Sequence, residues 1–330
     1  MDNRTLGRTG RTVSVIGLGT WQLGADWGEV DSADARAVLD ASVDAGVTFF
    51  DTADVYGDGR SERFIGEYLA SNPGHGITVA TKMGRREEQD PANFTLEKFR
   101  AWTDRSRKNL GVDRLDLVQL HCPPTPVYSS DAVYEALDTL VQEGAIANYG
   151  VSVETTDEAL AAIARPGTAS VQIILNAFRL KPLDAVLPAA REAGVGIIAR
   201  VPLASGLLSG KYTAETTFAE NDHRTYNRDG SAFDVGETFS GVDFEQGVAA
   251  AQEFARAAKE ADSELSPAQA ALAWIAQLDG VSTVIPGARN VDQARSNAVA
   301  GSVPPLGETF DAAVRDIYDR YFRSAIHGRW

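Results

Sequence analysis

Eight short apolar runs recur along the chain, at 14–18, 47–50, 77–80, 115–120, 146–151, 171–175, 195–201 and 282–285. Each is strand-length, rich in Val, Ile and Phe, and bounded by Gly, Asp or Pro. The stretches between them read as helices. Phe64, Ile65, Tyr68 and Leu69 form an apolar stripe behind Ser61, a residue suited to an N-cap. Residues 131–143 put Val133, Leu137, Leu140 and Val141 on one face, and Thr155 with Glu158 has capping-box spacing. Ser266-Pro267 supplies a cap and a first-turn proline ahead of Leu272, Ile275 and Leu278. Strands alternating with helices imply right-handed βαβ units and a parallel sheet. Eight in regular rotation favour closure, so the expected fold is α/β: a (β/α)8 TIM barrel spanning 1–330 as one domain.

Two segments break the rotation. Residues 4–13, with Gly7 and Gly10 at a turn, predict a β-hairpin closing the barrel floor. The connection from 203 to 265 is far longer than an ordinary crossover, and its middle, 213–242, is rich in Thr, Asn, Asp and Gly. Phe218, His223, Tyr226, Phe233 and Phe239 lie in it. It reads either as a lid over the pocket or as a mobile loop without substrate contact. The C-terminal 326–330 can fold over the rim, but terminal disorder is the expectation.

Composition narrows the partners. A net charge of −15 repels phosphate backbones, so nucleic acid is not an expected partner. No apolar run approaches the roughly 20 residues that span a bilayer, and the start carries no apolar leader. One cysteine, Cys122, excludes an internal disulfide and suits a reducing compartment; the expected location is the cytoplasm. Cys122 itself reads as a small packing residue rather than a nucleophile.

Catalytic side chains of a parallel barrel sit just beyond the C-terminal ends of its strands. The second run ends in Asp51-Thr-Ala-Asp-Val-Tyr56-Gly, the third in Thr81-Lys82 and the fourth in Gln119-Leu-His121-Cys-Pro. Singly, Asp51 reads as a turn residue and Tyr56 as a packed aromatic. Together on three successive strand ends, they form a reaction centre. Reducing a carbonyl needs a proton donor for the developing alkoxide. A nearby ammonium, Lys82, lowers the pKa of Tyr56; Asp51 balances Lys82; neutral His121 orients the substrate oxygen.

These motifs carry a family resemblance. Gly17-Leu-Gly-Thr-Trp21, Phe50-Asp-Thr-Ala-Asp-Val-Tyr-Gly57, Ala80-Thr-Lys82, Leu115-Asp-Leu-Val-Gln-Leu-His121, Gly150-Val-Ser152 and Val284-Ile-Pro-Gly287 make the chain resemble the aldo-keto reductases over nearly its whole length. The resemblance implies NADPH/NADP+ as cofactor and the tetrad Asp51, Tyr56, Lys82 and His121. It places Ser152 and Gln172 on the nicotinamide carboxamide, and Thr20, Trp21 and Asp51 in the cofactor's surroundings. Pro202, Leu203, Ser205, Gly206 and Lys211 fall in the pyrophosphate-facing segment. Gly287, Arg289, Gln293 and Asn297 fall at the adenosine end. A guanidinium at Arg289, just before a helix, suits a 2′-phosphate and favours NADPH over NADH. Trp21, Tyr56 and His121 would face the substrate, an aldehyde, ketone or sugar-like molecule. Two departures stand out. Val153 follows Ser152 where some members have Asn. Arg200 stands where many have an aromatic stacked on the nicotinamide; it can stack, contact the pyrophosphate or turn to the substrate.

Other functions remain open to the sequence. A strand-end lysine can form a Schiff base, which makes Lys82 the nucleophile of a lyase. The same fold and cofactor can serve a regulatory subunit with little turnover. Metal-dependent hydrolysis needs more strand-end ligands than one histidine, so no metal is expected.

Overall fold

Alternation along each strand decides what the barrel holds. We describe the protein from a computed structural model, which covers residues 1–24 and 31–330. Eight parallel strands follow one another around the sheet: β3 (Leu18–Gly19), β4 (Phe49–Asp51), β5 (Thr78–Met83), β6 (Leu117–His121), β7 (Tyr149–Ser152), β8 (Thr168–Ile174), β9 (Gly196–Arg200) and β10 (Val281–Val284). Parallel bridges Ile16 to Val284 and Gly19 to Gly287 join the first strand region to the last. All eight strands fall on the apolar runs of the sequence. The structure is a (β/α)8 TIM barrel.

Side chains alternate between faces with a period of two. Phe50, Val79, Val118, Val151, Val171 and Ile197 point outward into the large core shared with the helices. Phe49, Ala80, Leu117, Ile198 and Ile285 point inward, where Leu6 and Val13 of the N-terminal hairpin join them in a separate cluster. That hairpin, β1 (Asn3–Thr5) paired antiparallel with β2 (Thr12–Ser14), closes the floor as expected. Gly7, at φ +47, lies so close that a Cβ there would stand 2.0 Å from the Gly196 nitrogen, so no side chain fits. Arg8 fastens the turn by donating to the carbonyls of Ala193 at 2.7 Å and Pro166 at 2.7 Å.

Helix α1 (Trp21–Gly24) is a single turn; α2 (Ser32–Asp44), α3 (Arg60–Ser71), α4 (Leu96–Leu110), α5 (Asp131–Gln142), α6 (Thr156–Ile163) and α7 (Val186–Ala193) follow the successive strands up to β8, and the short α8 (His223–Tyr226) lies in the connection after β9. The Thr155/Glu158 capping box is formed at α6, and a Ser266/Gln269 box with Pro267 opens α10 (Pro267–Gln277). Two sequence expectations fail locally. Gly59, not Ser61, caps α3; Ser61 is the second residue of the helix and wholly buried, donating to Thr20 Oγ1 at 2.8 Å and accepting from Thr52 Oγ1 at 2.9 Å. On α5, Val133, Leu137 and Leu140 are buried but Val141 is exposed, because it lies past the edge of the apolar stripe.

The long connection after β9 is folded rather than open. Tyr212, Phe218, Phe239 and Phe244 pack on one another with centroids 5.1–6.4 Å apart across their contacting pairs, and α9 (Phe244–Ala261) leads out of it. The C-terminal residues, expected to be disordered, are packed. Trp330 is 6% exposed, lies 3.9 Å from the Arg179 guanidinium and donates to Asp234 Oδ1 at 3.2 Å. Among the described residues no helix is long and apolar enough to cross a membrane.

Candidate active site

The inward parity of the strands continues upward from the apolar floor. Two residues beyond Phe49 is Asp51, beyond Ala80 is Lys82, beyond Leu117 is Gln119 with His121 two further on, and beyond Ile198 is Arg200. Lys82 Nζ donates to Asp51 Oδ1 at 2.5 Å, to the Thr52 carbonyl at 2.9 Å and to Tyr56 OH at 3.3 Å. The other Asp51 oxygen accepts from Gln172 Nε2 at 2.7 Å and Gln119 Nε2 at 3.2 Å. The His121 ring stands edge-on to Tyr56, centroids 6.0 Å apart. Thr20 pins the Asp51 backbone, with both its N–H and its hydroxyl donating to the Asp51 carbonyl at 2.9 Å.

Burial and charge set the protonation states. Burial works against the Lys82 ammonium, but Asp51 and Tyr56 outweigh it, and Lys82 is held above its ordinary value. Tyr56 is also raised: burial is the largest cause, Lys82 opposes it, and Asp51 adds to it. The sequence expectation that Lys82 brings Tyr56 down is therefore corrected. The ammonium pulls in that direction, but it is already balanced by Asp51 and burial prevails. His121 is pushed well below the ordinary histidine range by burial first, then by Arg85, Lys82 and Arg200. It is neutral at physiological pH, and its Nδ1 has no hydrogen-bond partner among the described residues. Cys122, at φ +44, has its thiol pushed up to about 12 by burial. Such a thiol stays protonated and is a poor nucleophile.

Above this centre lies a cleft of about 540 Å³. Trp21, Tyr56 and His121 line it, with Ser152 and Gln172 on the strands next to His121. Pro202, Leu203, Ser205, Gly206 and Lys211 form a side wall, and Gly287, Arg289, Gln293, Asn297 and Arg224 line it as well. Thr20, Asp51 and Arg200 also border the cleft, so it gathers every site residue expected from the sequence except Lys82, which does not border it. The side wall turns through left-handed angles at Ala204, Ser205 and Gly206, and a Cβ at Gly206 would meet Tyr212 OH at 2.2 Å. Asn290 caps α11 (Val291–Val299), and Gln293 accepts from the Arg289 N–H at 2.8 Å. Lys211, Arg224 and Arg289 gather cations here in an otherwise acidic chain, a donor set that fits phosphate.

Arg200 neither lies bare in the cleft nor waits for a partner. Its guanidinium pairs with Glu237, with Glu154 Oε2 at 3.0 Å, and with the Val153 carbonyl at 3.0 Å. Sequence reading missed both carboxylates. It also missed Gln119, though Gln119 shares the parity of His121 and was legible on that ground. His223 was noticed only as a lid aromatic. It packs 5.3 Å from Trp21, and burial pushes it down to about 4.

The comparisons agree with this architecture. The model of the aldo/keto reductase family matches residues 15–319. An uncharacterized oxidoreductase of Mycobacterium tuberculosis is 32% identical over 96% of this chain and 93% of its own. An aldo-keto reductase of Schizosaccharomyces pombe, whose name carries NADP(+), is 29% identical over 96% of this chain and 91% of its own. The solved structure of a glycerol dehydrogenase from Gluconobacter oxydans superposes with a TM-score of 0.76 at 28% identity, covering 94% of this chain and 93% of that one. The chain belongs to the aldo/keto reductase family.

Proposed function

We propose that this protein reduces the carbonyl of an aldehyde, ketone or sugar-like substrate with NADPH, and that Tyr56 donates the proton. The observation that carries the reading is the Asp51–Lys82–Tyr56 chain, its ion pair buried, in contact with a cleft that Lys211, Arg224 and Arg289 also line. Bound NADPH supplies the hydride. The cations fit its phosphates, with Arg289 the candidate for the 2′-phosphate, while Ser152 and Gln172 follow His121 across neighbouring strands. The S. pombe relative's NADP(+) and the Gluconobacter relative's glycerol agree with this cofactor and a small substrate.

Tyr56, raised above the ordinary tyrosine value of about 10, is protonated at neutral pH and so is loaded as an acid. Lys82 stabilises the phenolate left after transfer, and Asp51 keeps Lys82 charged and in place. A buried N–H without an acceptor costs more than a bare lone pair, so neutral His121 carries its proton on Nε2. That N–H donates to the substrate oxygen. The lyase alternative fits less well, because an ion-paired lysine held above its ordinary pKa is a poor nucleophile.

The test is a fluorescence titration with NADPH and NADH, followed by turnover of a carbonyl panel read at the nicotinamide absorbance. Tighter binding of NADPH together with turnover supports the reading. Tight binding with no turnover favours a regulatory role, and failure of both nucleotides to bind overturns the cofactor assignment.

A further inference from the structure

The wall of the cleft nearest Tyr56 contains a carboxylate that the reduction does not use. Glu237 ends a short turn, Val235–Glu237, in the connection after β9, and its side chain is 18% exposed at the cleft surface. Its Oε1 pairs with Arg200; its Oε2 makes no hydrogen bond to any described residue. The turn is tied at several points. Ser205 Oγ donates to the Glu237 carbonyl at 3.0 Å, Asp234 Oδ1 accepts from the Gly236 N–H, and Trp330 holds Asp234. A side chain fixed this way presents its unused acceptor in one place.

The surrounding charge limits what that oxygen can take. Arg85, Arg179 and Arg200 stand among Glu154, Asp234 and Glu237, three cations against three anions. The cluster is balanced, so a cationic group would upset it as much as an anionic one. A neutral donor gains a charge-assisted hydrogen bond without disturbing the balance. Trp21 and His223, which also line the cleft, offer ring surface.

We infer that Glu237 is a specificity-determining residue, accepting a hydrogen bond from a substrate hydroxyl near the reacting carbonyl. The preferred substrates are then neutral hydroxy-aldehydes and hydroxy-ketones over plain alkyl carbonyls of the same length and over carbonyls bearing a carboxylate. The inference rests on the carbonyl-reduction reading. Arg200 acts here as a positioning residue, fixing the rotamer of Glu237.

The experiment compares glyceraldehyde with propanal, both of three carbons, using the full chain and saturating NADPH. Wild-type protein should favour glyceraldehyde in kcat/KM by tenfold or more. Glu237→Gln should remove most of that preference, chiefly through KM for glyceraldehyde, while propanal turnover stays within about threefold and NADPH affinity is unchanged. Glu237→Ala should remove it entirely, with Arg200 still held by Glu154. An equal loss on both aldehydes, or weaker NADPH binding, assigns Glu237 a structural or cofactor role and overturns the inference. So does a wild type without preference, or an unchanged ratio in both variants. Failure of wild type to reduce either aldehyde overturns the carbonyl-reduction reading, and this inference with it.

Discussion

At the ends of β4, β5 and β6, polar side chains are placed by backbone geometry alone: regular strands, a period of two, and one inward face. The connection from 201 to 243 places Glu237 and His223, which border the same cleft, by other means. Val201, Ala204, Ser205, Phe239 and Ser240 all take left-handed angles without being glycine. Such angles are disfavoured for L-residues, most of all for a β-branched one like Val201, and persist only when surroundings enforce them. Here they are enforced by Asn176, which donates to the Val201 carbonyl at 2.9 Å and to Ser240 Oγ at 2.8 Å, and by Ser205, which accepts from the Phe239 N–H at 3.0 Å. The rim therefore owes its shape to secondary structure, and the connection owes its shape to individual tertiary contacts. Chemistry should depend on the first and substrate choice on the second.

The sharpest way to break that division is Tyr56→Phe. The rim assignment predicts a loss of roughly 10³-fold or more in kcat, of the order ascribed to a positioned acid, with NADPH affinity within a factor of two or three. Near-full activity in single-turnover kinetics would remove Tyr56 from the mechanism. Direction of reaction gives a second reading of the same residue. Because Tyr56 stays protonated through neutrality, reduction should be level from pH 6 to 8, whereas alcohol oxidation, which needs the phenolate, should rise with pH over that range and beyond. Lys82→Met should disable the rim in a different way. It leaves the Asp51 carboxylate, 2% exposed, without its cation, and removing one partner of a buried pair costs about 3–5 kcal/mol. Its melting temperature should fall along with its rate, whereas Tyr56→Phe should change rate alone.

The same contrast explains what was legible before the structure. The eight strands, the floor hairpin and the inward placing of Asp51, Lys82 and His121 rest on periodicity and on strand-end position, which a sequence displays directly. Ser61 was misplaced because a serine before an apolar stripe looks the same whether it caps a helix or, as here, ties Thr20 to Thr52. The Arg200–Glu237 pair joins residues 37 apart through a connection without period, so nothing local announces it. Trp330 was invisible for the same reason: its partners Arg179 and Asp234 lie 151 and 96 positions away.

Asp54 tests whether the rim is as settled as its geometry suggests. Its carboxyl is fully buried, and neither oxygen has a hydrogen-bond partner among the described residues. Burial, then Glu62, pushes it up to about 7 against Arg86 and Arg105. An acid whose pKa is raised on folding binds more protons folded than unfolded, so stability falls as pH rises from its ordinary value near 4 towards 7. Asp54→Asn should therefore gain stability over wild type across that window. The gain should reach a plateau of up to about 4 kcal/mol above pH 7 and vanish below pH 4. Parallel melting curves of the two proteins against pH would expose a flat difference, which would mean that Asp54 is satisfied in the folded state.

The smallest effect expected is the most diagnostic for the connection. Trp330 touches no residue of the tetrad, yet its indole covers Arg179, holds Asp234, and packs against Gly236, where a Cβ would lie 3.1 Å from the ring. All of these flank the turn that carries Glu237. Trp330→Ala removes the clamp and leaves the strand ends as they are. The loosened turn should raise KM for a hydroxylated aldehyde by about threefold to tenfold, equivalent to roughly 0.7–1.4 kcal/mol of lost binding. The change in kcat should stay within about twofold. Trp330→Phe keeps the ring over Arg179 but loses the N–H to Asp234, so it should fall between the two. A loss confined to kcat would reverse the division, because it would mean that the connection positions the reacting groups and the rim does not hold them unaided.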